Sequence, residues 1–227
     1  MYMKYLTIIL IATLATPAHQ LLAGDLESQN QRYSYTLGIR VGQMLKSQVG
    51  GDLDIDAFAL AVSDVLSGNK VRLSNEEMQT AMRQYLQQEQ AKLAKVAEAN
   101  EKKGRAFLEA NALKEGIVTL DNGLQYKVIT PGSGSSPSAE QTVEVNYRGR
   151  LIDGTEFDSS YSRGKPAQFK LNGVVPGFKE ALTRMKPGAK WEVYMPAELA
   201  YGKKGAGRSI GPNETLIFEI EYLRSVN

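Results

Sequence analysis

The 227-residue chain contains no cysteine and one histidine, His19. The lack of cysteine excludes disulfides, thiol nucleophiles and thiolate metal sites. A P-loop, a serine with an available histidine and a histidine–carboxylate cluster at metal-ligand spacing are also missing. With 27 basic and 25 acidic residues the formal net charge is only +2, which is too small to indicate a nucleic-acid partner. We therefore expect no metal, no cofactor and no nucleic acid, and any catalysis must use other side chains.

Long apolar runs are also rare, and the most apolar segment lies at the N-terminus. An apolar run over residues 5–14 follows a basic start and precedes the small residues that end at Ala18. A transmembrane helix needs about 20 apolar residues, so this run is too short for a stable membrane span. The pattern is typical of a secretory signal peptide over residues 1–23, cleaved after Ala18 or after Ala23. An uncleaved anchor or a buried helix is the alternative, and we expect the mature chain to lie outside the cytoplasm.

Proline is absent from residues 24–116, where apolar residues recur at helical spacing. One apolar stripe covers residues 33–45 and a second covers residues 55–66. We predict an all-helical dimerisation domain over residues 24–73, because two short helices make a small core and pairing is one way to bury their stripes. A monomeric hairpin that folds against the rest of the chain is the alternative.

A long helix over residues 74–116 is predicted to connect this domain to the rest of the chain. It begins at Ser74 with capping-box spacing to Glu77, and neither glycine nor proline interrupts it before Gly104. Apolar residues become sparse over residues 87–105, and a helix that is polar nearly all round lies in solvent rather than in a core. We therefore expect a stalk that holds the two halves of the chain apart.

After Gly116 apolar and polar residues alternate, which is typical of β-strands, and glycine and proline pairs mark the turns. We predict one strand-rich domain over residues 117–227 with a single short helix at about residues 177–185. The fold class is therefore α+β. The predicted strands cover residues 124–129, 142–147, 168–171, 191–195 and 215–222.

Most carboxylates of this domain are scattered along polar strand faces, but Asp158 follows Phe157 in a segment rich in aromatic neighbours. A carboxylate beside an apolar pocket must be paired or hydrogen-bonded. Arg163, five residues further on, is its candidate partner.

Aromatic residues are the second notable feature of this domain, and most of them fit an ordinary core. We interpret Phe169 and Trp191 in that way. Tyr147 and Tyr201 are different, because each has a glycine close by in sequence that leaves space. We expect these two residues to face a cavity with their hydroxyls available.

Five segments of the domain, in order and with near-family spacing, resemble the FKBP-type peptidyl-prolyl isomerases. The helical half resembles the dimerisation region of the macrophage infectivity potentiator (Mip) subgroup of Gram-negative bacteria. The resemblance implies an antiparallel half-barrel sheet wrapped around the short helix, with a proline-binding pocket between them. The segments are Val145-Asn-Tyr-Arg-Gly149, Leu151-Ile-Asp-Gly-Thr-Glu-Phe-Asp-Ser-Ser160, Val174-Val-Pro-Gly-Phe178, Pro196-Ala-Glu-Leu-Ala-Tyr-Gly202 and Ile210-Gly-Pro-Asn-Glu-Thr-Leu-Ile-Phe218.

The resemblance also implies a site. Tyr147, Asp158 and Tyr201 are its expected catalytic residues. Asp158 is braced by the Tyr147 hydroxyl and polarises the site, while the Tyr201 hydroxyl and the Ile210 amide hydrogen-bond to substrate carbonyls. The residues expected to bind the proline ring and its neighbours are Phe157, Val174, Val175, Phe178, Ile210 and Phe218.

Two positions depart from the family pattern. Phe178 stands at the pocket floor, where tryptophan is frequent, and Ala167 stands where an aromatic residue is frequent. One wall of the pocket is therefore expected to be lower. We still expect macrolides such as FK506 and rapamycin to bind, with Ala167 as a reason for weaker binding.

Taken as a whole, the resemblance implies a periplasmic homodimer, with outer-membrane association or surface display as alternatives. It would isomerise X–Pro bonds in unfolded or exported proline-containing polypeptides and act as a chaperone. Two other functions stay open, namely a module that only binds proline segments and a chaperone or adhesin that acts through the helical half.

Overall fold

A computed structural model describes residues 26–48 and 53–226. The predicted signal peptide over residues 1–23 lies outside these ranges. The chain divides into two compact units, one that ends at Ser74 and one that begins at Asn75. None of the described helices combines the length and the apolarity that a membrane span requires.

The first unit contains two helices, α1 (Gln29–Gln48) and α2 (Ile55–Leu66), as the helical periodicity predicts. Among the described residues of this unit, the one buried residue is Asp64, which accepts a hydrogen bond from Arg72 Nε at 2.8 Å. The apolar stripes of both helices are exposed, and Leu66 reaches 82%. The described part of this unit therefore has no hydrophobic core of its own.

The second unit begins with the 38-residue helix α3 (Asn75–Ala112), which at 1.5 Å per residue is about 57 Å long. A seven-stranded sheet follows, with the order β1-β2-β6-β7-β3-β4 and with β5 paired to β3. Every pairing is antiparallel. The strands are β1 (Ile117–Thr119), β2 (Gln125–Thr130), β3 (Thr142–Leu151), β4 (Glu156–Ser159), β5 (Ala167–Lys170), β6 (Lys190–Met195) and β7 (Leu216–Val226).

The core of the second unit lies between this sheet and one short helix, α4 (Pro176–Arg184). Along β3 buried residues alternate with partly exposed ones, as period two requires. Leu182 of α4 and Val145 and Ile220 of the sheet are fully buried there. The predicted α+β fold, with a helical N-terminal region and a C-terminal antiparallel sheet, is confirmed. The sequence analysis missed β1 and β4, which at three and four residues are too short to display alternation.

The end of α3 corrects one prediction. Gly104 and Asn111 are buried, and Asn111 Nδ2 donates to Gln125 Oε1 of β2 at 2.9 Å. Gln125 Nε2 in turn donates to the carbonyl of Leu108 at 2.9 Å. The expectation that the helix lies in solvent over residues 87–105 is therefore wrong at Gly104, and the following turns are bound to the sheet. These contacts use a glycine and amide side chains, which an analysis of apolar periodicity does not register.

Candidate active site

Five aromatic rings from four strands and α4 pack against one another on the inner side of the sheet. The ring centroids of Phe178 and Phe218 are 5.3 Å apart at 71°, and those of Phe157 and Phe218 are 5.6 Å apart at 82°. Tyr147 lies 6.0 Å from Phe178 and 5.4 Å from Phe169. Such edge-to-face contacts fix ring orientations as well as bury area, so the rings form a rigid apolar wall.

Gly149 makes this ring packing possible. A Cβ at this position would lie 2.5 Å from the Phe157 ring and 2.9 Å from the Phe218 ring. The sequence analysis expected a nearby glycine to leave an open space beside Tyr147. The structure instead fills that space with the two phenylalanine rings, so any side chain at Gly149 would displace the wall.

A polar network lies at the edge of this wall. The Tyr147 hydroxyl donates to Asp158 Oδ2, and Arg163 donates to Asp158 Oδ1, as the sequence predicts for this pair. A second guanidinium nitrogen of Arg163 donates to the Tyr147 hydroxyl oxygen at 2.8 Å. The guanidinium also lies 5.4 Å from the centre of the Tyr147 ring. Three side chains from β3, β4 and the loop after β4 thus fix one another.

Electrostatics set the protonation states of this network. Burial raises the pKa of Tyr147 to about 12, and its hydrogen bond to Asp158 acts in the same direction. Burial alone would raise the pKa of Asp158, but hydrogen bonds from Tyr147 and Arg163 outweigh it and hold that pKa below its usual range. At neutral pH the site therefore contains a fixed carboxylate and a protonated phenol.

The predicted ring-binding residues belong to one cluster. Tyr147, Phe178, Ile210 and Phe218 are buried in it, and the partly buried members that pack against it are Phe157, Phe169, Val174 and Val175. Tyr201 differs, because it lies outside this cluster and its side chain is 40% exposed.

The backbone amides of two predicted pocket residues differ in their hydrogen bonds. The Ile210 amide was expected to bind a substrate carbonyl, but it donates to the Ala206 carbonyl at 3.2 Å and is thus occupied within its own loop. The Val175 amide immediately before α4 has no backbone acceptor among the described residues.

Phe169 is the site residue that sequence reasoning missed. It was assigned to the ordinary core, yet it is only partly buried and lies 5.7 Å from Phe178 in the aromatic wall. Its position two residues after Ala167 on β5 puts both on one face of that strand. Trp191, by contrast, is a core residue as predicted and stacks on Tyr126 at 4.2 Å.

Within the described ranges, no group of three His, Asp or Glu side chains is arranged to hold a metal ion. The groups that the structure brings together here are an aromatic cluster, the Asp158 carboxylate and the donors of Tyr147 and Arg163.

Comparison with known proteins agrees with this geometry. A family model described as FKBP-type peptidyl-prolyl cis-trans isomerase matches residues 133–223, and one for the domain amino terminal to such isomerases matches residues 30–128. The chain is similar to the peptidyl-prolyl cis-trans isomerase Mip of Coxiella burnetii, with 44% identity over 216 residues that cover 92% of each chain. It is also 44% identical to the outer membrane protein MIP of Legionella longbeachae over 205 residues, 88% of each chain.

Among solved structures, the crystal structure of FkpA from Escherichia coli matches with a TM-score of 0.62 and 38% identity. This match covers 88% of the chain and 98% of FkpA. A peptidyl-prolyl isomerase from Pseudomonas syringae matches with a TM-score of 0.54 and 40% identity, over 58% of the chain and 96% of that structure. The fold, the site and these relatives agree, and the chain belongs to the FKBP-type peptidyl-prolyl cis-trans isomerases, in their Mip-like group.

Proposed function

We propose that the aromatic pocket binds the proline ring of X–Pro segments in exported polypeptides, and that Tyr147, Asp158 and Tyr201 act on the amide that rotates. The observation that carries this proposal is the ionised Asp158 held by two donors at the edge of a rigid apolar wall. An apolar wall alone would support binding, whereas a fixed charge beside it can act on the changing dipole of the amide.

The reaction explains why such a site needs neither histidine nor cysteine. Rotation about an amide bond has a barrier of about 18–20 kcal/mol because resonance is lost in the twisted state. No bond forms or breaks and no proton has to move. A twisted amide has a more ketone-like carbonyl and a pyramidal nitrogen, so it loses less than the planar form on entering an apolar site. A pocket that fits the twisted form better lowers the barrier, and a thousandfold acceleration needs only about 4 kcal/mol.

In this proposal each polar group has a separate task. Asp158 polarises the site beside the rotating amide, and Tyr147 and Arg163 keep it ionised and oriented. The exposed Tyr201 hydroxyl donates to one substrate carbonyl. The Val175 amide is a better donor for a second carbonyl than Ile210, whose amide is occupied. The apolar lining consists of Phe157, Val174, Val175, Phe178, Ile210 and Phe218.

The test is cis/trans exchange of an Ala-Leu-Pro-Phe type peptide by the mature protein. We expect Asp158→Ala to lower kcat/KM at least about tenfold and Tyr201→Phe to lower it several-fold, since each removes a polar contact to the rotating amide. Tyr161→Phe is a matched control for Tyr201→Phe, because Tyr161 is equally exposed at 40%. Full activity in a folded Asp158→Ala variant would remove the proposed role of Asp158, whereas no acceleration by the folded, unsubstituted protein would leave a proline-binding module.

We further propose that the helical unit pairs with a second copy and that the resulting dimer binds unfolded chains as a chaperone. A groove of about 660 Å³ lies between α1 and α2 and is lined largely by apolar side chains such as Leu37 and Phe58. Gly38 and Gly42 border it, and a Cβ added at either would meet no atom within 4 Å. The unit thus offers both an uncovered apolar surface and room for a close helix approach, which supports a partner of the same kind.

Export to the periplasm is part of the same proposal. It rests on the N-terminal signal pattern, and the relatives include a protein named as an outer membrane protein. Determination of the N-terminus of protein recovered from the periplasm would test it. A mature N-terminus at His19 or Gly24 is expected, whereas an intact Met1 would contradict export with cleavage.

A further inference from the structure

We propose that the C-terminal turns of α3 are a positioning element for the active site, and that Asn100 and Gly104 hold the loop that carries Tyr201 and Ile210. This loop, residues 200–215, is called here the pocket loop. The inference rests on the pocket role proposed above for Tyr201 and Ile210. It assigns a catalytic consequence to helix residues that contact neither the aromatic wall nor the Asp158 network.

The helix and the pocket loop pack closely at Gly104. A Cβ at this position would overlap Thr215 Oγ1 and lie 3.3 Å from Thr215 Cβ. Thr215 itself is buried, with 3% of its surface exposed. Glycine in the middle of a helix is unfavourable. Its presence here is explained by the space that it leaves for the Thr215 side chain.

One turn earlier, hydrogen bonds fix the neighbouring residues of the loop. Asn100 Nδ2 donates to the Pro212 carbonyl at 2.9 Å. Asn213 Nδ2 reaches back to the Ala97 carbonyl at 3.4 Å. Asn213 has a φ of 55°, a left-handed conformation that asparagine tolerates better than most residues. The helix therefore binds the loop at both its backbone and its side chains.

Backbone hydrogen bonds connect Asn213 to the part of the loop that carries Tyr201 and Ile210. The Asn213 amide donates to the Gly202 carbonyl at 2.9 Å, directly after Tyr201. Ala206 and Ile210 pair through two backbone hydrogen bonds of 2.9 and 3.2 Å and close the loop between these points. A displacement of residues 212–215 would thus reach the Tyr201 hydroxyl and the Ile210 side chain.

The helix can serve as a fixed support because its end is bound to the sheet. Asn111 is fully buried and donates to Gln125 of β2, and Gln125 donates to the carbonyl of Leu108. The Phe107 ring also lies 6.0 Å from that of Tyr194 on β6. The loop, in contrast, contains three glycines with positive φ at residues 202, 205 and 207, which favours alternative conformations in the absence of support.

Gly104→Ala tests this support in the full chain. In an unobstructed helix this change is stabilising, but here the new methyl group must displace Thr215. We expect kcat/KM for a proline peptide to fall about three- to tenfold, since small misplacements of pocket groups are costly. We also expect the Ile210 and Asn213 amides to exchange hydrogen faster, while the Ser160 amide, bonded to the Tyr147 carbonyl at 2.9 Å, keeps its protection.

The matched variants separate positioning from general destabilisation. Adding Thr215→Ala to Gly104→Ala removes the overlapping oxygen and should restore both kcat/KM and loop protection. Lys102→Ala, at an exposed site on the same helix, should change neither. Asn100→Ala should act in the same direction as Gly104→Ala, because it removes the bond to Pro212.

Three results would overturn the inference. Unchanged exchange of the loop amides in Gly104→Ala would remove the supporting role of the helix. Equal loss of protection at Ile210 and Ser160, without rescue by Thr215→Ala, would mean that the domain is destabilised as a whole. Faster hydrogen exchange of the loop amides with unchanged kcat/KM would show that support of the loop does not affect catalysis. If Tyr201→Phe also left kcat/KM unchanged, the error would lie in the role proposed for Tyr201 and not in the support of the loop by the helix.

Discussion

The two compact units differ in how far their apolar residues are buried. The second unit buries residues from the sheet and α4 in one cluster, with several at zero exposure. The first unit leaves the stripes of α1 and α2 exposed and, among its described residues, buries only Asp64. Because burial of apolar area is the main favourable term in folding, the second unit has a core of its own, whereas the exposed stripes of the first are the basis of the proposed pairing.

The strongest way to break this comparison is to place a charge in the groove of the first unit. Leu37→Asp puts a carboxylate on an apolar surface where pairing would leave it buried without a partner. We expect the dissociation constant of the dimer to increase at least about 100-fold, because an unpaired buried charge costs several kcal/mol. Light scattering after size exclusion measures the mass, and kcat/KM for a short peptide should stay within twofold.

Gln43→Asp is the control for this change, since it adds the same charge to α1 at an exposed residue outside the groove. A dimer that survives Leu37→Asp but not Gln43→Asp would move the interface to the other face of α1. A chain that is monomeric before any substitution would contradict the pairing altogether.

A leucine-to-alanine substitution in each unit compares the contribution of a buried side chain to stability with that of an exposed one. Leu182→Ala in α4 removes a side chain with zero exposure and should lower the free energy of unfolding of the second unit by about 2–5 kcal/mol. Leu60→Ala in α2, where leucine is 41% exposed, should change it by less than about 0.5 kcal/mol. Trp191, the single tryptophan, lies in the second unit and reports its urea unfolding by fluorescence. Similar losses in both variants would mean that the two units unfold together.

The same contrast explains which parts of the fold the sequence predicts. Helices α1 and α2 and the longer strands follow from periods of 3.6 and two, because one face of each element is apolar. Periodicity also records which face could be buried, but not whether anything covers it, so the exposure of the first unit is known only from the structure. The docking of α3 through Gly104 and Asn111 was missed for the reverse reason, because polar and glycine contacts carry no apolar signal.

The site residues also differ in whether the sequence predicts them. The Asp158–Arg163 pair was predictable, because a carboxylate in an aromatic segment needs a partner and a cation follows five residues later. Phe169 was not, since a phenylalanine on an alternating strand looks the same in a core and in a pocket wall. The hydrogen bond from the Ile210 amide to Ala206 was not predictable, because it depends on the path of the backbone, which side-chain patterns do not reveal.

Acid should affect both units, since each holds a carboxylate–arginine pair. A hydrogen bond from Arg72 lowers the pKa of Asp64, and hydrogen bonds from Tyr147 and Arg163 overcome burial to lower that of Asp158. A lowered folded-state pKa stabilises the protein above the unfolded pKa of the group, and that stability is lost as the pH falls through the folded value. Activity should therefore be flat from about pH 5 to 9 and fall only in acid below the ordinary aspartate range.

At alkaline pH the sign is reversed for Tyr147, whose pKa is raised to about 12. Its contribution to stability is complete below the unfolded pKa of 10.0 and is lost as the pH rises through the folded value. Arg163→Gln should move the acid limb of kcat/KM to higher pH, while Arg72→Gln should leave it in place. A bell-shaped profile centred near neutral pH would contradict a site that transfers no proton.

The smallest expected effect concerns Ala167 in the second unit, where the sequence predicts a lower pocket wall. Ala167→Phe adds a ring on the face of β5 that also bears Phe169, and apolar area gained by a bound macrolide should improve FK506 affinity about three- to tenfold. Gln168→Phe adds the same ring to the opposite, exposed face of the strand and should leave affinity unchanged. Calorimetric titration measures both variants. Equal gains in FK506 affinity from the two substitutions would mean that added hydrophobicity, and not the height of this wall, determines macrolide binding.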